Sequence, residues 1–195
     1  RFVQHYQQHA GIEPAPSAIA AERREAWPGG RTNHYLFDMN RDWFALTQPE
    51  TRGKVASLLE YYPLVHADIH EMGTNSTYYF PPPAKPFNPH ITGQQKAGLD
   101  ALGKGMAEIF DRFGFDYFTR EVFDALYPGY GDTWPTLHGS LGMTFETASA
   151  RGLAGQRSDD SLVTYRDGVH RHFLATVGTL NVAARDRQAL LERFY

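Results

Sequence analysis

Leu64-Val65-His66-Ala67-Asp68-Ile69-His70-Glu71-Met72-Gly73 reads as a buried strand that runs out into a loop carrying imidazoles and carboxylates. Leu64, Val65 and Ile69 give it the apolar, β-branched character of a strand, and Gly73 marks its end. His66, Asp68, His70 and Glu71 then gather metal-ligating and proton-carrying groups at the exit. In an α/β protein the carboxyl end of a strand is where ligand sites are built. The stretch therefore predicts a metal or acid–base site centred on His70, against the plainer reading of a strand end with ordinary polar punctuation. His66 shares a strand face with His70 and reads as a packed histidine or a second ligand.

Upstream, Thr47, Pro49 and Glu50 predict a helix start with a capping box. Val55, Leu58, Leu59 and Tyr62 follow at helical spacing, and Pro63 ends the helix. Helix followed by strand is the α/β rhythm. Further upstream, Tyr35-Leu36-Phe37 reads as a short strand leading into Asn40-Arg41-Asp42-Trp43. Residues 11–31 read as a loop with a charged helical piece at Ala18–Ala26, and residues 1–10 as the end of a helix.

Downstream, residues 73–91 read as a long loop bearing Tyr78-Tyr79-Phe80 and Pro81-Pro82-Pro83, a length that favours pocket walls. Thr92–Phe113 reads as a helix with Leu99, Leu102, Met106, Ile109, Phe110 and Phe113 on one face. A second Gly/Pro/Tyr loop spans 127–139, and Leu141-Gly142-Met143-Thr144-Phe145-Glu146 is a second strand ending in an acid. A helix is expected from near Ser161, with Leu162, Val169, Phe173, Val177 and Leu180 as its apolar face, and 182–195 is helical as well. His170 and His172 fall on different helix faces and read as solvated.

The 195 residues, 42% of them hydrophobic, suit a single domain over 1–195 with a real core. A net charge of −3 leaves no basic surplus, which argues against nucleic acid as a partner. No apolar run approaches the roughly 20 residues that span a bilayer. With no Cys, disulfides and thiol chemistry are excluded, and a zinc site must use His and carboxylate. Arg1-Phe2-Val3-Gln4 opens without Met and reads as mid-domain, so a longer parent protein is expected.

Three groups carry chemistry. Arg41, at a strand-to-helix transition, offers a planar fork to a carboxylate, and Asn40 adds amide donors; the plainer reading of Arg41 is a structural ion pair. Glu146, at the end of an apolar strand, sits where desolvation raises a carboxyl pKa into general-base range. Tyr78 to Phe80 and Tyr127 to Tyr130 read as pocket wall or core.

In this order, Asn40-Arg41-Asp42-Trp43, a helix, strand-end His70, a Tyr/Gly loop with Trp134 and Thr144-Phe145-Glu146 resemble the zinc carboxypeptidases, the carboxypeptidase A-like metallopeptidases, over about residues 30–150. The resemblance implies helices flanking a mixed sheet in α/β/α layers, with the first strands outside this chain. It implies zinc as cofactor with His70 as a ligand, and Glu146 as general base. Asn40 and Arg41 would grip the terminal carboxylate of a peptide substrate. Tyr127 or Tyr130 would close over that substrate, and Arg31 would polarise the scissile carbonyl. An extracellular or periplasmic compartment is expected on the same ground.

The family's first two zinc ligands come from a His-x-x-Glu motif upstream of the Asn-Arg pair, and no such motif precedes His70. The expectation is therefore that two ligands lie on a preceding segment and that this chain alone is inactive or poorly metallated. Two other readings stand beside it: a zinc amidase or deacylase of the aspartoacylase-like kind, and a non-catalytic peptide-binding homologue. The lactamase-type His-x-His-x-Asp-His spacing is not met around His66 and His70.

Overall fold

A computed structural model describes residues 31–194; the helical readings at residues 1–10 and Ala18–Ala26 lie outside them. In chain order the elements are α1 (Pro49–Tyr61), β1 (Val65–Met72), β2 (Tyr78–Tyr79), β3 (Ala84–Phe87), α2 (Gly93–Phe113) and β4 (Asp124–Ala125). There follow α3 (Thr133–Leu137), β5 (Leu141–Ala148), β6 (Ala154–Gln156), β7 (Leu162–Thr164), α4 (Tyr165–Arg185) and α5 (Arg187–Phe194). The fold is α/β with a mixed sheet, as expected.

The main sheet runs β1-β5-β2, with β1 parallel to β5 and β2 antiparallel to it. A parallel pair needs a long crossover, and the segment from β2 through α2 to α3 supplies it. Every residue of β5 is buried. Leu141, Met143 and Phe145 point into the principal core with Leu99, Leu102, Met106 and Phe110 of α2 and Leu174, Ala175 and Val182 of α4. Burying one such side chain stabilises by about 1.5–3 kcal/mol, so this face anchors the strand. Gly142, Thr144 and Glu146 take the opposite face, because successive strand residues alternate.

The α2 helix spans the residues expected of it, and Thr92 and Gln95 close its start with a reciprocal capping box. The α1 start differs. Its N-cap is Gln48 and makes no side-chain cap bond. Thr47 turns instead to Asp42, donating to Oδ1 from Oγ1 at 2.6 Å and from its backbone N–H at 3.0 Å, while the Gln48 N–H reaches Oδ2 at 2.9 Å. Asp42 thus fixes the two residues ahead of the helix and takes the Thr47 hydroxyl away from any capping box. These bonds outweigh burial and hold the Asp42 carboxyl below its ordinary pKa.

Further expectations are corrected. Tyr35–Phe37 is a turn, closed by an isolated Thr32–Asp38 bridge. The 73–91 stretch holds β2 and β3, and the 127–139 stretch holds α3. Residues 162–164 are a strand paired with β6, so the helix begins at Tyr165. Its packed face is also different: Val169, Phe173 and Leu180 are exposed, as is Leu162 before it, while Gly168, Leu174, Ala175, Gly178 and Val182 are buried. Small residues explain this. A Cβ on Gly178 would lie 3.1 Å from Met106 Cα, and one on Gly105 2.1 Å from Val182 Cγ2, so α4 meets α2 along its glycines and not along its larger side chains. His172, expected in solvent, is half-buried and bonded to the Tyr78 hydroxyl at 2.8 Å through Nδ1.

Candidate active site

The β1/β5 register fixes the heart of the site. His66, Asp68 and His70 stand beside Gly142, Thr144 and Glu146 respectively. Chemistry-bearing residues of both strands therefore share the face turned away from the α2/α4 core. β1 continues two residues past His70, so His70 sits within the strand and not beyond its end.

A cavity of about 350 Å³ opens over this face, lined among others by Arg31, Asn40, Arg41, His70, Tyr130 and Glu146. Of the residues to which the family resemblance gives a role, Tyr127 alone is not in its wall. Its hydroxyl donates to the Arg41 carbonyl at 3.0 Å, making it a strut behind Arg41. Arg41 lies over the Tyr130 ring, 4.6 Å from the centroid, and donates to the Asn40 carbonyl at 2.7 Å. Arg31 pairs with Asp38 at 2.7 Å, and the Asp38 carboxylate also receives the Asn40 N–H.

Asn40 is a hub. Its Oδ1 accepts from the Gly131 N–H at 2.6 Å, and its Nδ2 donates to Asp68 Oδ2 at 2.9 Å. A Cβ on Gly131 would lie 2.5 Å from Asp68 Oδ2, so only glycine fits between the Tyr130 loop and β1. His70 Nε2 stands 2.7 Å from the same Asp68 oxygen. Burial opposes charge on both members of this pair, but their hydrogen bond wins: the Asp68 pKa is lowered and the His70 pKa raised. Asn40 Nδ2 is also 3.0 Å from His70 Nε2; in the neutral tautomer that carries its proton on Nε2, Nδ1 is the nitrogen left to ligate, the arrangement by which a carboxylate orients a metal-binding imidazole. His66 packs edge-on against Trp43 at 5.9 Å, and burial lowers its pKa.

Glu146 is 8% exposed, and Oε2 makes no hydrogen bond. Burial pushes its pKa up to about 7; His70 and Arg31 oppose the rise, and Asp68 and Asp132 add to it. A carboxyl ionising near neutrality is able both to take and to return a proton. The donor set for a metal is incomplete: among the described residues no three His, Cys, Asp or Glu side chains come together as a metal site. His70 suits one ligand position, and the residues described here do not fit zinc by themselves.

The sequence reading missed Asp132, Val122, Phe123 and Asp124, which also line the cavity. Asp132 had a signal, as an acid two residues after Tyr130 and just before an aromatic, Thr133-Trp134. Val122 to Asp124 had none, since their part depends on where the crossover returns to the sheet.

No protein-family model matches the chain, and no curated protein matches it. Solved structures do match it in fold. A metallo-carboxypeptidase from Burkholderia cenocepacia superposes with a TM-score of 0.55 at 18% identity, over 85% of this chain and 41% of that one. A metallo-carboxypeptidase from Pseudomonas aeruginosa, solved with (2-guanidinoethylmercapto)succinic acid, superposes with a TM-score of 0.59 at 16% identity, over 82% of this chain and 42% of that one. The chain thus has a carboxypeptidase-like fold and spans about two fifths of the length of these proteins. No helix among the described residues is long and apolar enough to cross a membrane.

Proposed function

We propose that this chain is the C-terminal part of a zinc-dependent metallocarboxypeptidase, which removes the last residue of peptides with a free terminal carboxylate. The observation that carries the proposal is one cavity lined by Arg41, His70 and the buried Glu146, whose Oε2 has no hydrogen-bond partner. Arg41 has no carboxylate partner among the described residues, and its fork is suited to the substrate's terminal carboxylate. Asn40 spends its amide on Asp68 and Gly131, so its contribution is to hold β1 and the Tyr130 loop in register with Arg41. Tyr130, against Arg41, covers the bound residue.

Glu146 takes a proton from the attacking water and returns it to the leaving amine, so the proton count balances over the cycle. Arg31 places positive charge near the oxyanion. Zinc belongs to the proposal as the cofactor of the complete protein: His70 would hold it through Nδ1, with the other ligands outside the described residues. An extracellular or periplasmic compartment is proposed from the family resemblance alone.

The test is hydrolysis by the complete protein of a peptide ending in a free carboxylate and of the same peptide amidated. The expected result is cleavage of the first only. Glu146→Gln should lower kcat by about 10²–10⁴-fold, and Arg41→Ala should lower kcat/KM by about 100-fold. Hydrolysis of an acyl-amino acid without peptide cleavage would replace the proposal by an amidase. Peptide binding with no hydrolysis by any length of the protein would replace it by a binding module.

A further inference from the structure

Helix α4 carries two apolar faces, back to back. Gly178 and Val182 lie in its contact with α2, and Leu174 and Ala175 are buried in the same core. Tyr165, Val169, Phe173 and Leu180 form the second face, each between 51% and 62% exposed. Their spacing makes one stripe along the helix, turned roughly half a revolution from Gly178 at about 3.6 residues per turn. Of the large apolar side chains of α2, only Phe113, at the helix end, is exposed. A helix apolar on one side lies at the margin of a protein, and a helix apolar on opposite sides is covered on both.

The sheet is unfinished beside the same stripe. Ala67 and Ile69 stand in register with Met143 and Phe145 and so point to the α2/α4 side of the sheet. Met143 and Phe145 are fully buried there, yet Ala67 and Ile69 are exposed. A hydrogen bond between His172 and the His70 backbone places α4 beneath this part of β1. The uncovered underside of β1 and the outward stripe of α4 are therefore floor and wall of one apolar trough.

An apolar trough of this kind marks a surface built to be covered. The chain spans about two fifths of the length of the solved structures it superposes on, so more than half of such a protein is left to cover it. Among the described residues β1 pairs on one side only, and a strand added there would itself need a helix beneath it. A helix about 8–10 Å from α4 meets both needs. At the other end of the chain, α5 folds back onto the core with Leu190 buried, away from the stripe. We infer that the trough is the seat of an amphipathic helix from the part of the polypeptide that precedes this chain, its large apolar side chains lying against Phe173 and Ile69. In the complete protein α4 is then an inner helix. The inference rests on the proposed reading only in that this chain is part of a longer protein, and it uses none of the chemistry of the cavity.

Cysteine labelling tests it, since the chain has no cysteine of its own. Phe173→Cys, and Asn181→Cys at an exposed position of α4 outside the stripe, are each treated with N-ethylmaleimide in dilute samples of this chain and of the complete protein. Mass spectrometry reads each site at its own peptide. At position 173 the complete protein should react at least about tenfold more slowly than this chain, and at position 181 the two should agree within about threefold. Equal rates at position 173, or equal protection at both positions, overturn the inference. Slow labelling at position 173 in this chain overturns it as well: a rate that depends on concentration gives the face to a second copy, and one that does not gives it to residues 1–30. A natural protein no longer than this chain overturns both the inference and the carboxypeptidase reading. Protection at position 173 with no peptide cleavage overturns that reading alone. Val169→Cys repeats the measurement should Phe173→Cys fail to fold.

Discussion

β1 and β5 lie side by side, eight residues each, and present their polar side chains to the same cavity, yet they handle charge in opposite ways. β1 alternates between half-buried and exposed positions, and its two ionisable neighbours, Asp68 and His70, stabilise each other across 2.7 Å. β5 is buried throughout, and Glu146 has no hydrogen-bonded partner for Oε2. An inner strand covered on both faces strips water from its carboxylate, whereas an outer strand leaves room for a self-compensating pair. Position in the sheet, more than residue type, separates the group poised to move protons from the group poised to hold a fixed charge.

The sharpest way to break this contrast is truncation at one register position. Phe145 is 1% exposed and its partner Ile69 is 53% exposed. Phe145→Ala should cost about 3–5 kcal/mol and Ile69→Ala less than about 0.5 kcal/mol in urea denaturation. Comparable costs would mean that the outer face of β1 is covered in solution.

A smaller effect is expected at His172, which bonds the hydroxyl of fully buried Tyr78 and faces the backbone of His70. His172→Leu leaves that hydroxyl without its partner and should cost about 1–2 kcal/mol. Adding Tyr78→Phe should recover part of the loss, which a double-mutant cycle reads directly.

The smallest effect is the pH dependence of Glu146. Its folded pKa, about 7, lies above the ordinary 4.5, so the folded state binds the extra proton. That stability is fully present below about pH 4.5 and is lost as pH rises through 7. Relative to Glu146→Gln, the wild type should therefore lose about 1 kcal/mol between pH 5 and pH 8 after solvent screening. A difference that does not change with pH would remove the desolvation argument.

Much of this organisation was legible in local pattern. The β1 and β5 strands, the span of α2 and its apolar face follow from spacing that neighbouring residues alone satisfy. The failures were cases where a distant or unexpected partner decided. Asp42 drew Thr47 away from the α1 cap because a carboxylate accepts several N–H and O–H bonds at once. Glycines on α4 and α2 set the helix contact, and that reversed the expected face of α4, because close approach rewards a missing side chain that hydropathy does not count. Asp132 escaped because its place in the cavity wall comes from its bond to Thr144, twelve residues on, and Tyr127 and Tyr130 became distinguishable only through their different contacts with Arg41.

Among the described residues β1 pairs on one side only, with β5. Its other margin offers a row of N–H and C=O groups along eight residues, with Ile69 alongside. Such a margin is a template for strand addition between molecules. Concentrated samples of this chain are therefore expected to self-associate through it, with light scattering that rises with concentration and falls when Ile69 is replaced by Lys. For anyone crystallising or assaying the chain, a practical handle on solubility is that margin of β1.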